Sequence, residues 1–353
     1  MKGTAMASRK ARQATGSEGL ASETPTSGEN LFPESPALWA MAWSETGGAR
    51  LLTGLSEIES AYGEGERLWI DLATPDRVLL DEISRVLDLH ELVAEDILER
   101  NQRAKVELTG DALHMVMFVL HYDGEIVSDE LDIVLGSRFL LTSHDRALDL
   151  REGTFTRRDP ARHLAGGPDY LLWSLADWAI DGYFPVFDRI GDEIDDLQAD
   201  VMSKPTNWIV ERLFQLRRDL LLIRHSVSPQ REIFNQLTNR DLTLIRPARV
   251  VYFRDVYDHL IRLTDELDSF RELVSTTMDI YLAQINNRLS ETMKRLTAVT
   301  IVVAGAGAVA GVFGMSEAGL ALSFVDMRFW VVTAGIFVAS VLGLVYFRRI
   351  GWI

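Results

Sequence analysis

Fifty-seven residues lie between Pro247 and Gly305 with neither a proline nor a glycine among them. Those two residue types most readily end or bend a helix, so the stretch predicts one continuous helix of roughly 85 Å at about 1.5 Å per residue. Val256, Leu260, Leu263, Leu267, Phe270 and Val274 recur along it at intervals of three and four, the spacing of an apolar stripe packed in a bundle. Its far end changes character. Leu296 to Ser316 and Phe329 to Phe347 are uncharged apolar runs of 21 and 19 residues, 12 residues apart. As helices they measure roughly 32 and 28 Å, enough to cross a hydrocarbon core of about 30 Å. A helix that is amphipathic at its start and lipid-like at its end has to begin in water and enter the membrane unbroken.

The charges around these runs give an orientation. Lys294-Arg295 precede the first and Arg348-Arg349 follow the second, whereas the short outer loop carries Glu317, Asp326 and only Arg328. By the positive-inside rule both termini are expected in the cytoplasm of a protein integral to the inner (plasma) membrane, with lipid as its surroundings. The expected organisation is a tail over 1–36, a cytoplasmic α/β domain over 37–165, a helical stalk and bundle over 166–292, and a transmembrane hairpin over 293–353 with spans at about 296–316 and 329–347.

Composition narrows the partners. The net charge of −16 and a pI near 4.9 argue against nucleic acid, because a phosphate-binding surface needs a basic patch. The absence of cysteine excludes disulfides and thiolate metal sites and fits a reducing cytosol. Residues 1–36, rich in Ser, Thr, Gly, Glu and Ala, lack the apolar core of a signal peptide and read as a disordered tail.

Beyond the tail the signals alternate. Leu68-Trp69-Ile70-Asp71-Leu72 is a short apolar run, and Thr74-Pro75-Asp76 combines a turn with an N-cap before the helical pattern Val78, Leu79, Ile83, Val86, Leu87. Ala112–Leu120 and Leu131–Thr142 read as strands of one sheet with a turn at Tyr122-Asp123-Gly124. From Asp169 the pattern is helical, as one amphipathic stretch to Met202 and a second from Asn207 to Leu237 after Pro205. Asp192, Glu193, Asp195 and Asp196 read as a solvated helix face. Nucleotide-binding, metalloprotease and serine-hydrolase motifs are missing and the seven histidines show no ligand pairing at helical spacing, so no enzyme is expected.

Tyr252-Phe253-Arg254-Asp255-Val256-Tyr257-Asp258-His259, Tyr281, Asn287-Arg288, and Met293-Lys294-Arg295-Leu296-Thr297 leading into a span that closes on Gly314-Met315-Ser316 resemble the CorA family of divalent-cation transporters. Upstream, Trp69-Ile70-Asp71-Leu72, Leu89-His90 with Glu95-Asp96-Ile97-Leu98, Lys105-Val106-Glu107, and Tyr170-Leu171-Leu172 with Asp177 and Asp181 fit the same family, in order and at similar spacing. The resemblance implies a funnel-shaped homopentameric channel with no tightly bound cofactor, the divalent cations (Mg2+, Co2+, Zn2+) serving as substrate and regulator. The first span would line the pore. Its Ala304, Gly305, Ala306, Gly307, Ala308, Ala310 and Gly311 allow close helix approach, and the bulkier second span would face lipid.

The family hallmark at the outer mouth is Gly-Met-Asn, and here the third position is Ser316. Ser290, 26 residues earlier, likewise stands where relatives carry asparagine, and Ala304 replaces a bulkier residue. Both polar rings have become shorter, which puts strict magnesium selectivity in doubt, since a strongly hydrated ion is held through carboxamides around its water shell. Met293 and Leu296 remain as candidates for an apolar constriction. The resemblance also implies a regulatory metal site between subunits, from Asp255, Asp96, Glu95 and Asp177, that closes the pore when occupied. Two other readings are a zinc transporter like ZntB coupled to protons and a non-conducting membrane-anchored metal sensor or scaffold.

Overall fold

The computed structural model of the chain describes residues 37–100, 102–145, 148, 150, 155, 158–240, 242–315 and 327–352; the expected tail over 1–36 lies outside them. The first half alternates strands and helices: β1 Leu38–Ser44, β2 Gly48–Leu52, α1 Leu55–Gly63, β3 Arg67–Ala73, α2 Arg77–Leu87, α3 Glu91–Glu99, β4 Lys105–Thr109, β5 Ala112–Asp123, β6 Glu125–Leu135 and β7 Phe139–His144. The strands form one sheet in the order β2-β1-β3-β7-β6-β5-β4, antiparallel except where β3 meets β7. Alternation along the strands gives the sheet two apolar faces. On one, Ala40, Leu68, Ile70, Leu72, Val134 and Leu141 pack against α1, α2 and α3 through Ile58, Leu80, Ile83 and Ile97. On the other, Trp69, Met115, Met117, Leu131 and Ile133 join the helices that follow β7.

Local chemistry explains the boundaries. The Asp76 carboxylate accepts from the backbone N–H of Leu79 at 2.8 Å and starts α2, as Thr74-Pro75-Asp76 predicted. Gly124, at φ +74°, turns β5 into β6 between the paired Asp123 and Glu125. Leu131–Thr142 is two strands rather than one. Gly136 donates its N–H to the carbonyl of Phe139 and folds the run back on itself. Every residue of β7 is buried, so apolarity continues through the turn and conceals it.

Asp71, a charged residue in a buried strand, has a reason to be there. Trp69 Nε1 donates to Thr142 Oγ1, which donates to Asp71 Oδ1 at 2.6 Å, and His144 Nε2 lies 3.1 Å from the same oxygen. The network joins β3 to β7 across their parallel register and satisfies polar groups that would be costly to bury unpaired.

The second half is helical: α4 Pro160–Gly166, α5 Pro168–Asp181, α6 Tyr183–Ser203, α7 Asn207–Asn239, α8 Val250–Met315 and α9 Met327–Arg349. The amphipathic stretch predicted from Asp169 to Met202 is broken at Gly182. A side chain there would meet the carbonyls of Ala179 and Leu120 at 3.3 and 3.6 Å. The tighter of these contacts is with the last turn of α5 itself and the one to β5 is ordinary; Tyr183 beside the glycine donates to the carbonyl of Phe118 on β5 at 2.6 Å. The long helix is continuous for 66 residues, roughly 99 Å. All six residues of its predicted stripe are buried among α5, α6 and α7. The acidic cluster is solvated at Asp192, Asp195 and Asp196, while Glu193 pairs with Arg212.

Candidate functional site

Past Tyr281 the same helix loses its cover within the chain. Leu282, Ile285, Leu289, Met293, Leu296, Ile301 and Val303 are exposed, and α9 is the element that packs against this end. It covers one side: Ala298 is fully buried, a side chain at Gly343 would meet Val302 Cγ2 at 3.4 Å, and Gly305, Ala306 and Val309 line the cleft between the two helices. At roughly 100° per residue, the side turned away from α9 carries Met293, Leu296, Thr300, Ala304, Gly307 and Gly311. Those six fall at intervals of three and four, and all are exposed.

The described residues thus bring three of the expected pore positions, Met293, Leu296 and Ala304, onto one row. Ser290 is nearly a quarter turn off it by the same count. Gly314 and Met315 close α8. Ser316, Glu317 and Asp326 lie outside the described residues. The sequence reasoning missed Thr300, whose Oγ1 donates back to the carbonyl of Leu296 at 2.8 Å. Helical spacing from Leu296 and Ala304 was the signal that could have found it, and its hydroxyl is the polar group within an otherwise apolar row.

The four expected regulatory carboxylates occupy different settings. Asp255 is exposed on α8 and has no ion pair among the described residues, and Glu95 is likewise exposed on α3. Asp96 is held by Lys105 Nζ at 2.6 Å. Asp177 is bridged to Asp181 by Arg158, which donates one guanidinium nitrogen to each. Within one chain Asp177 groups with Asp181 and His259, their ligand atoms all within 4.8 Å of one another, rather than with Asp255 or Asp96. The absence of histidine pairing at helical spacing did not foresee this, because His259 reaches its carboxylates across from α8 to α5. Burial raises the Asp177 carboxyl above its ordinary value against the pull of Arg158. Asp177 and His259 supply carboxylate and imidazole donors, a set able to bind a divalent ion.

A large α/β body, a helix that runs from it into an apolar end and a second apolar helix define a membrane protein with two C-terminal spans. The sequence matches the family described as "CorA-like Mg2+ transporter protein" over residues 64–349, and the chain belongs to that family. The cobalt/magnesium transport protein CorA of Thermotoga maritima is 32% identical over 294 residues, covering 81% of this chain and 83% of that protein. Among solved structures, the complete CorA magnesium transporter from Methanocaldococcus jannaschii is similar with a TM-score of 0.75 at 22% identity, covering 90% of this chain and 99% of that one. The ZntB cytoplasmic domain from Vibrio parahaemolyticus gives 0.55 at 11% identity, covering 71% and 100%. At these identities the two structures speak for the fold.

Proposed function

We propose that the protein is a channel for divalent cations, Mg2+ with Co2+ or Ni2+, formed by a homopentamer in the inner membrane with both termini in the cytoplasm. The observation that carries this reading is the row from Met293 to Gly311: an exposed, small-to-medium face of α8 turned away from α9, as a helix lining a shared axis requires. The Thermotoga maritima relative, described as a cobalt/magnesium transport protein, supports the substrate class. The division into a tail over 1–36, an α/β domain over 37–165, a stalk over 166–292 and a hairpin over 293–353 belongs to the same reading. Met293 and Leu296 form the apolar constriction, and Gly314, Met315 and Ser316 form the outer mouth with Glu317 and Asp326 in the loop. Asp255 meets Asp96, Glu95 and Asp177 of a neighbouring copy through a divalent ion that holds the pore closed.

Uptake by liposomes holding the purified protein tests it. Mg2+, Co2+ and Ni2+ should enter down their gradients, and Asp255→Ala should keep the pore open at cation concentrations that shut the unmodified protein. Absence of flux for every divalent ion leaves the sensor or scaffold reading. The serines at 316 and 290 favour one competitor, a zinc transporter driven by protons, and zinc uptake that requires a pH gradient would establish it. Ser316→Asn should shift uptake toward Mg2+ relative to Zn2+, because five carboxamides hold a hydrated ion more firmly than five short hydroxyls.

A further inference from the structure

The connection from β7 to α4 carries Arg158, and its placement is set by the core. Phe155 is fully buried, packed edge-on against Trp69 at 5.5 Å and tilted against Trp178 at 5.7 Å. Three residues on, the Arg158 side chain lies over the next turn of α5, where Asp177 and Asp181 share a face at i and i+4. The guanidinium donates to both carboxylates. Beside them His259 presents a buried Nδ1 with no hydrogen-bond partner, unusual for a buried polar atom.

Two carboxylates and one guanidinium leave a net charge of −1. A divalent ion on the same oxygens would balance both, but with Arg158 still in place it would face a second cation at about 4 Å, which is repulsive in a half-buried site. Ion and guanidinium therefore exclude each other. We propose that Arg158 is a tethered cation that holds the one regulatory carboxylate it reaches, Asp177, together with Asp181 when metal is scarce and has to swing away for a divalent ion to reach Asp177. This rests on the regulatory reading of Asp177 given above. Arg158 then raises the concentration at which the ion closes the pore by the factor that favours the paired state, because the binding-competent form is only a fraction of the population.

The test is metal-dependent protection of the full-length detergent-purified protein from protease, titrated with Mg2+ and with Co2+, for the unmodified protein, Arg158→Gln, Arg158→Lys and Asp255→Ala. Arg158→Gln should lower the half-saturating concentration about fivefold and reduce protection in the absence of metal. Arg158→Lys, with one ammonium to share between two carboxylates, should fall between and guards against a folding defect. An unchanged half-saturation in Arg158→Gln, with protection lost in Asp255→Ala, overturns the role of Arg158 and leaves the regulatory site standing. A shift in Arg158→Gln with Asp255→Ala unaffected supports the tethered cation and overturns the contribution of Asp255 from a neighbour. No change in either variant overturns both.

Discussion

The two halves of α8 are one helix with opposite surroundings. From Val250 to Tyr281 its apolar stripe is enclosed by α5, α6 and α7 of the same chain, with Phe253, Val256, Leu260 and Leu263 all fully buried. From Leu282 to Val312 residues of the same kind are uncovered, Leu289 and Leu296 at 59% exposure each. Backbone geometry does not change between them. What changes is the source of the environment: the first half is a core element of the chain itself, whereas the second is left uncovered by it apart from α9, and on the proposed function lipid and other copies supply the rest.

Substitutions of equal size in the two halves separate these roles, and the largest effect belongs to the enclosed half. Leu260→Ala should destabilise the body by about 3 kcal/mol through lost burial and a residual cavity, read as a lowered midpoint in thermal or denaturant unfolding. Leu289→Ala should leave that midpoint nearly unchanged.

Assembly shows the reverse pattern. A side chain at Gly307 meets nothing within 4 Å in the chain, whereas one at Gly343 meets Val302. Gly307→Leu should therefore displace neighbouring copies and reduce the pentamer in native mass spectrometry, and Gly343→Leu should spread the α8–α9 pair with the oligomer retained. Equal loss in both would break the distinction between the inner and outer faces of the helix.

A smaller effect is expected in the α/β domain. Glu130 on β6 is half-buried beside Asp132, with Arg100 and Asp145 nearby and the backbone N–H of Gln102 as a hydrogen-bond donor, and burial foremost pushes its carboxyl up to about 7. The folded value is above the unfolded one, so the acid form favours folding. Its contribution is fully present below about pH 4.5 and is lost as pH rises through about 7. Between pH 5.5 and 8 the unfolding midpoint of the body should fall by roughly 2–4 °C on this account. Glu130→Gln should flatten that part of the profile, and an unchanged slope would assign it to other groups.

The enclosed stripe was legible because burial by one chain leaves a 3.6-residue period, and the missing prolines and glycines foretold the unbroken helix as far as Gly305, from where it continues through four glycines, Gly305 included, to Met315. The outer row was only partly legible. Where both lipid and a pore accept small apolar residues, hydropathy does not say which side a residue faces; Thr300 stands four residues from both Leu296 and Ala304, a spacing that pointed to it, and the cover of α9 over Ala298 and Val302 shows which side that row takes. Gly182 and the turn at Gly136 were obscured for a related reason, since each interrupts a segment buried on more than one side. The grouping of Arg158, Asp177, Asp181 and His259 joins three segments distant in sequence, and no spacing rule reaches across them.

The chain contains no cysteine, which permits the most direct test of the central claim, that the side of α8 facing away from α9 lines a water-filled ion path. Single cysteines at Thr300, Ala304 and Gly307, and at Ala298, Val302 and Ala306 as the contrast, would be reconstituted in liposomes and treated with a charged, membrane-impermeant thiol reagent during divalent-ion uptake. The reagent should block uptake through the first three and leave the second three conducting. Block confined to the second three, or no difference between the two rows, would contradict it.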